Sequence, residues 1–128
     1  MTNNQPPKTT RNNFDLEHRT TEFGKMVVRL CRQLPKDSIN SRIAGQLVGS
    51  AGSVGANYRE ANDALGKKDF LNRLRIARKE AKETLHWLEL LVEANPEQKE
   101  GARKLWKEAE ELKNILSAII KKVETKLN

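Results

Sequence analysis

Residues 67–93, KKDFLNRLRIARKEAKETLHWLELLVE, decide how this chain folds. Phe70, Leu74, Ala77, Ala81, Thr84, Leu88 and Leu91 recur there at alternating intervals of four and three. That spacing keeps one apolar seam on one side of a helix, the pattern of left-handed bundle packing. A helix carrying such a seam needs partners, and the flanking sequence supplies three more segments with the same logic.

Upstream, the stretch from Asp15 to Leu34 repeats apolar residues at helical spacing in Phe23, Met26, Val27, Leu30, Cys31 and Leu34, and Pro35 stops it. A second helix is expected to start after Asp37 or Ser38, both good N-caps, and to run to Asn62. Its core face is Ile43, Leu47, Ala51, Val54, Tyr58 and Ala61. Asp63 to Gly66 makes the turn into residues 67–93. Pro96 opens the last helix, whose seam is Leu105, Ala109, Leu112, Leu116, Ile119, Val123 and Leu127. Four helices of this length with short connections predict an all-α protein, an antiparallel up-down-up-down four-helix bundle occupying residues 14–128. Residues 1–13 are polar, with Pro6 and Pro7 adjacent, and read as a disordered tail.

Charge patterning marks faces beyond the core. The chain has 24 Lys and Arg against 17 Asp and Glu, a net charge of +7, which suits an acidic partner such as nucleic acid. Lys25, Arg29, Arg32 and Lys36 gather opposite the first helix's seam, and Lys68, Arg75, Arg78, Lys79 and Lys82 form a basic face on the third. These nine residues are the expected phosphate contacts. Aromatic residues are only 5% of the chain, so stacking on single strands is poorly supplied, and backbone contact with duplex or structured RNA fits better.

Two other faces suggest contact with protein. Gly45, Gly49, Gly52 and Ala56 lie opposite the second helix's core face. Each Gly inside a helix costs about 1 kcal/mol relative to Ala, so a stripe of them suggests another backbone coming close. On the third helix Ile76, Glu80, Glu83, Trp87 and Leu90 mix apolar and acidic groups outside the seam, as an interface does.

No catalytic constellation emerges. Glu83 and His86 form one Glu-x-x-His step, whereas a di-iron bundle needs two such steps and two further Glu residues. AGSVG at residues 51–55 misses the nucleophile elbow's first Gly and lacks the strand that precedes it. Gly66-Lys67-Lys68 lacks the rest of a phosphate loop. No enzyme activity, metal or cofactor is therefore expected. The single Cys31 excludes an intramolecular disulfide, and neither a membrane span nor a signal peptide is visible, so the expected location is cytoplasmic.

FDLEHRTTEFGKMVVRLCRQLP at residues 14–35 and QLVGSAGSVGANYREANDALGKKDFLNRLRIARKEAKETLHWLELL at residues 46–91 resemble the bacterial four-helix-bundle family of 23S rRNA intervening-sequence proteins. The resemblance implies a basic, barrel-like homopentamer without enzymatic activity. It also makes Gly45, Gly49, Gly52, Ile76, Glu80, Glu83 and Trp87 candidates for the ring interface, with Arg59 and Glu60 as possible interfacial charges. A more distant relative, the accessory protein of diversity-generating retroelements, partners a reverse transcriptase, which keeps a protein scaffold serving another enzyme as the alternative.

Overall fold

The computed structural model describes residues 16–127, and among these every regular element is helical. Helix α1 spans Leu16–Arg32, α2 Ser38–Asn62, α3 Lys67–Ala94 and α4 Lys99–Leu127, with a 3-10 turn at Pro96–Gln98 before α4. The expected tail, Phe14, Asp15 and the side chain of Leu127 lie outside the described residues.

The chain's stop signals act where the sequence places them. Pro35 disfavours helical geometry at Leu34, so α1 closes with tight bonds from Gln33 N–H to the Leu30 carbonyl and Leu34 N–H to the Cys31 carbonyl. Asp37 is the N-cap of α2, in extended conformation, and its Oδ1 accepts the Asn40 N–H at 2.7 Å. Pro96 opens a 3-10 turn, and α4 follows three residues later than the sequence reading has it.

Pairs between helices show that neighbours run antiparallel. Glu17 at the start of α1 meets Arg59 at the end of α2 at 2.9 Å. Asn40 at the start of α2 meets Asn95 just beyond α3, and Arg75 early in α3 meets Glu124 late in α4 at 2.5 Å. Helices pack as α1–α2, α2–α3, α3–α4 and α4–α1, while among the described residues α1 does not touch α3, nor α2 α4. This is an up-down-up-down bundle.

The core runs along the axis through Phe23, Val27, Leu47, Val54, Leu74, Leu88, Leu112 and Leu116. Full burial of one such side chain stabilises by about 1.5–3 kcal/mol. Five seam positions differ from expectation, among them Cys31 and Val123, which are only half-buried. Met26 is 36% exposed, because α1 leans on α2 and packs more thinly against α4. Leu71 is buried in place of half-buried Phe70, and Ile120 in place of Ile119. Both substitutions lie where the first turns of α3 run beside the last turns of α4, which turns the covered position of each helix toward the other.

The lean of α1 on α2 depends on small residues. A methyl group built on Gly55 would sit 3.2 Å from Thr20 Oγ1, and one on Gly24 would sit 3.9 Å from the Gly52 Cα. At the opposite end of the bundle, buried Asn40 and Asn95 exchange amide hydrogen bonds at 3.1 and 2.8 Å, and each also donates to a carbonyl, Pro35 and Leu91 respectively. Both interhelical connections at that end are thereby tied to each other.

Candidate nucleic-acid interface and assembly faces

The outer face of α1 presents its cations as the periodicity implies. Lys25, Arg29, Arg32 and Lys36 are all exposed. Lys25 pairs with Glu22 one turn earlier at 3.2 Å, while Arg29, Arg32 and Lys36 have no ion pair among the described residues. On α3, Lys68, Lys79 and Lys82 are exposed and likewise without an ion pair, and Arg78 is half-buried. Arg75 differs, since Glu124 holds it across the α3–α4 groove. An exposed pair of this kind adds little stability, but it places a carboxylate where a phosphate would have to bind.

Because α1 and α3 are diagonal neighbours, their outward basic faces point to opposite sides of the bundle. One chain cannot lay both stripes on the same stretch of a straight duplex. Arg42, on the first turns of α2, is a further exposed cation without an ion pair. It escapes a helix-by-helix reading because the other cations near the α1–α2 connection, Arg32 and Lys36, belong to the preceding helix and loop.

Along the α2 side of α3, Ile76, Glu80, Glu83 and Trp87 are all half-buried. Trp87 Nε1 donates to Glu83 Oε2 at 3.2 Å, and the His86 ring meets Trp87 edge-on at 5.1 Å. Burial, then the nearby Glu83 charge, raises the Glu80 carboxyl above its ordinary pKa, with Lys79 opposing. Leu90, on the same side of the helix, is 39% exposed. Gly45, Gly49 and Gly52 are exposed on α2, and a methyl group added to any of them would meet nothing within 4 Å. Within one chain, therefore, no packing contact requires glycine at these three positions. Arg59 is engaged internally by Glu17 and by Thr21 Oγ1, whereas Glu60 is exposed.

Glu83 is bonded to Trp87, and His86 is exposed beside it. Ser53 is half-buried, its carbonyl accepting from the Asn57 side chain at 2.9 Å. Among the described residues no three His, Cys, Asp or Glu side chains converge as a metal site would require, and no helix is long and apolar enough to cross a membrane. Cys31 is half-buried, and desolvation pushes its thiol up to about 11, away from reactivity at neutral pH.

The family model for the 23S rRNA-intervening sequence protein matches residues 12–118, through α1, α2, α3 and most of α4. The chain belongs to that family. A solved structure of similar fold, a protein of unknown function from the S23 ribosomal protein family of Bacteroides thetaiotaomicron VPI-5482, is 33% identical to this chain. The match covers 82% of this chain and 97% of that one, with a TM-score of 0.73. No curated protein sequence matches the chain.

Proposed function

We propose that this protein is a non-enzymatic, self-associating basic bundle of the cytoplasm that binds structured RNA through its phosphates. The observation that carries this reading is the run of exposed cations Arg29, Arg32 and Lys36 without acidic partners, joined on α3 by Lys68, Lys79 and Lys82. Such charges stay hydrated in the free protein and exchange that water for phosphate on binding, with release of counterions from the RNA. The aromatic residues favour backbone contact over base stacking: Tyr58 is buried, and Trp87 and Trp106 are half-buried. The family and neighbour descriptions, an rRNA-intervening sequence protein and an S23 ribosomal protein family, agree with an RNA setting.

Self-association is supported by Gly45, Gly49 and Gly52, which weaken α2 by about 1 kcal/mol each without a packing reason inside the chain. A homopentamer, as the resemblance implies, would repeat the basic faces and raise avidity for a polyanion. Ile76, Trp87 and Leu90 favour a second reading, a ring that also holds a partner protein, such as a polymerase acting on nucleic acid.

A salt titration of affinity for a structured RNA and for a scrambled control tests the first reading. Changing Arg29 and Arg32 to Glu should weaken binding to both RNAs alike and lower the slope of log affinity against log salt by about 0.7–0.9 per lost contact. Affinity that ignores salt and this double reversal would favour the partner-protein reading.

A further inference from the structure

The α1–α2 corner concentrates cations in a way that the two stripes do not. Arg32, Lys36, Ser38 and Ser41 line a concavity of about 710 Å³ between the end of α1 and the start of α2. Ser38 and Ser41 also line a second concavity, of about 620 Å³, whose other wall carries Arg42. Ser38 and Ser41 thus border both, so the two depressions are adjacent on the start of α2. Arg32 and Lys36 at the first depression and Arg42 at the second come from three different elements, and none has an ion pair among the described residues. The acid at the corner, Asp37, is engaged, with Oδ1 on the Asn40 N–H and Oδ2 3.4 Å from the Asn40 amide. The Asn40–Asn95 exchange then ties this start of α2 to the end of α3, so the cations stand on a braced turn.

We infer that this corner is where RNA phosphates seat, with Arg32, Lys36 and Arg42 as the charged contacts and the Ser38 and Ser41 hydroxyls as neutral donors. The inference rests on the RNA reading above and narrows it to one place. The α3 face is diluted by comparison: Arg75 is paired with Glu124, Asp69 lies 3.9 Å from Arg73, and Glu80 and Glu83 flank Lys79 and Lys82 in sequence. A hollow suits a protruding turn of phosphodiester backbone, and cations from α1, the loop and α2 at two adjacent depressions can hold neighbouring phosphates that a single helix stripe meets only in line.

The test measures binding of a fluorescent RNA hairpin by anisotropy from low to moderate salt. One variant replaces Arg32, Lys36 and Arg42 with Ala, and a second, of equal charge change, replaces the exposed Lys104, Lys107 and Lys122 of α4. All six side chains are exposed, so circular dichroism should show intact bundles. The corner variant should lose at least about 30-fold in affinity and flatten the salt slope by about 2–3, while the α4 variant loses no more than about threefold. Ser38→Ala with Ser41→Ala should weaken binding a few-fold and leave the slope unchanged. Equal losses in the two triple variants would overturn the corner and leave the RNA reading standing. Competition by poly-glutamate as strong, charge for charge, as by RNA would assign the corner to an acidic protein and overturn it too. Failure of the wild type to bind the hairpin at low salt would remove the RNA reading and the corner together.

Discussion

Two sets of glycines on α2 and its neighbour look alike in sequence and do opposite things. Gly24 and Gly55 sit inside the α1–α2 contact, where Thr20 and the α2 backbone press against them. Gly45 and Gly49 sit on the outer face of α2 and Gly52 at the rim of the α1–α2 groove, and an added methyl group on any of the three meets only open space. The first set explains the fold: small side chains let α1 lean on α2, and the lean leaves Met26 exposed on the α4 side. The second set weakens a helix without helping the chain that carries it. A helix penalty without an internal return points to a contact outside the chain, and that is the physical argument for assembly.

The largest expected effect comes from filling the inner set. Gly55→Leu should destabilise the bundle by about 3 kcal/mol, because Thr20 already stands where the new side chain must go. Urea unfolding followed by circular dichroism measures it, and a loss below about 1 kcal/mol would show that α1 can move away without penalty.

The next effect has the opposite sign. Replacing Gly45, Gly49 and Gly52 together with Ala should raise the stability of the dissociated chain by about 1 kcal/mol per site. The same triple variant should assemble less well, since each methyl group stands in the proposed contact. Gain of stability with unchanged assembly would place the contact elsewhere.

A smaller change separates the two inner glycines. An added methyl at Gly24 makes ordinary contact at 3.9 Å, so Gly24→Ala should be neutral or stabilising by up to about 1 kcal/mol, unlike any enlargement of Gly55. The smallest effect is chemical. Cys31 lies on the α1 wall of the corner hollow, and its raised thiol pKa of about 11 keeps it protonated near pH 8. Alkylation should therefore be slow in the native protein, accelerate as pH rises toward 11, and be faster at any pH in Gly55→Leu, where α1 is pushed off α2.

Much of this was legible in the sequence. The seam of α3, the core face of α2 and the Asp37 cap follow from spacing and from one strong local rule each, and all six core positions read for α2 are buried. Phe70 against Leu71 and Ile119 against Ile120 were not legible, because a periodicity gives the centre of a face but not which neighbour covers it at the bundle's end. The Thr20–Gly55 contact, the Asn40–Asn95 exchange and the Arg75–Glu124 pair join residues 35, 55 and 49 positions apart. Local pattern carries no signal for such partners. The basic residues themselves were visible, but their separation onto opposite sides, and the adjacency of the depression that holds Arg32 and Lys36 to the one that holds Arg42, needed the folded chain.

The proposed repetition of basic faces would depend on self-association, so the solution mass is the most direct test. Light scattering of the wild type at micromolar concentration should give a multiple of the 14.6 kDa chain, five if the resemblance holds in full. Gly49→Leu should scatter as a helical monomer. A wild type that remains at 14.6 kDa throughout the micromolar range would contradict the account, and would leave the outer glycines without a reason.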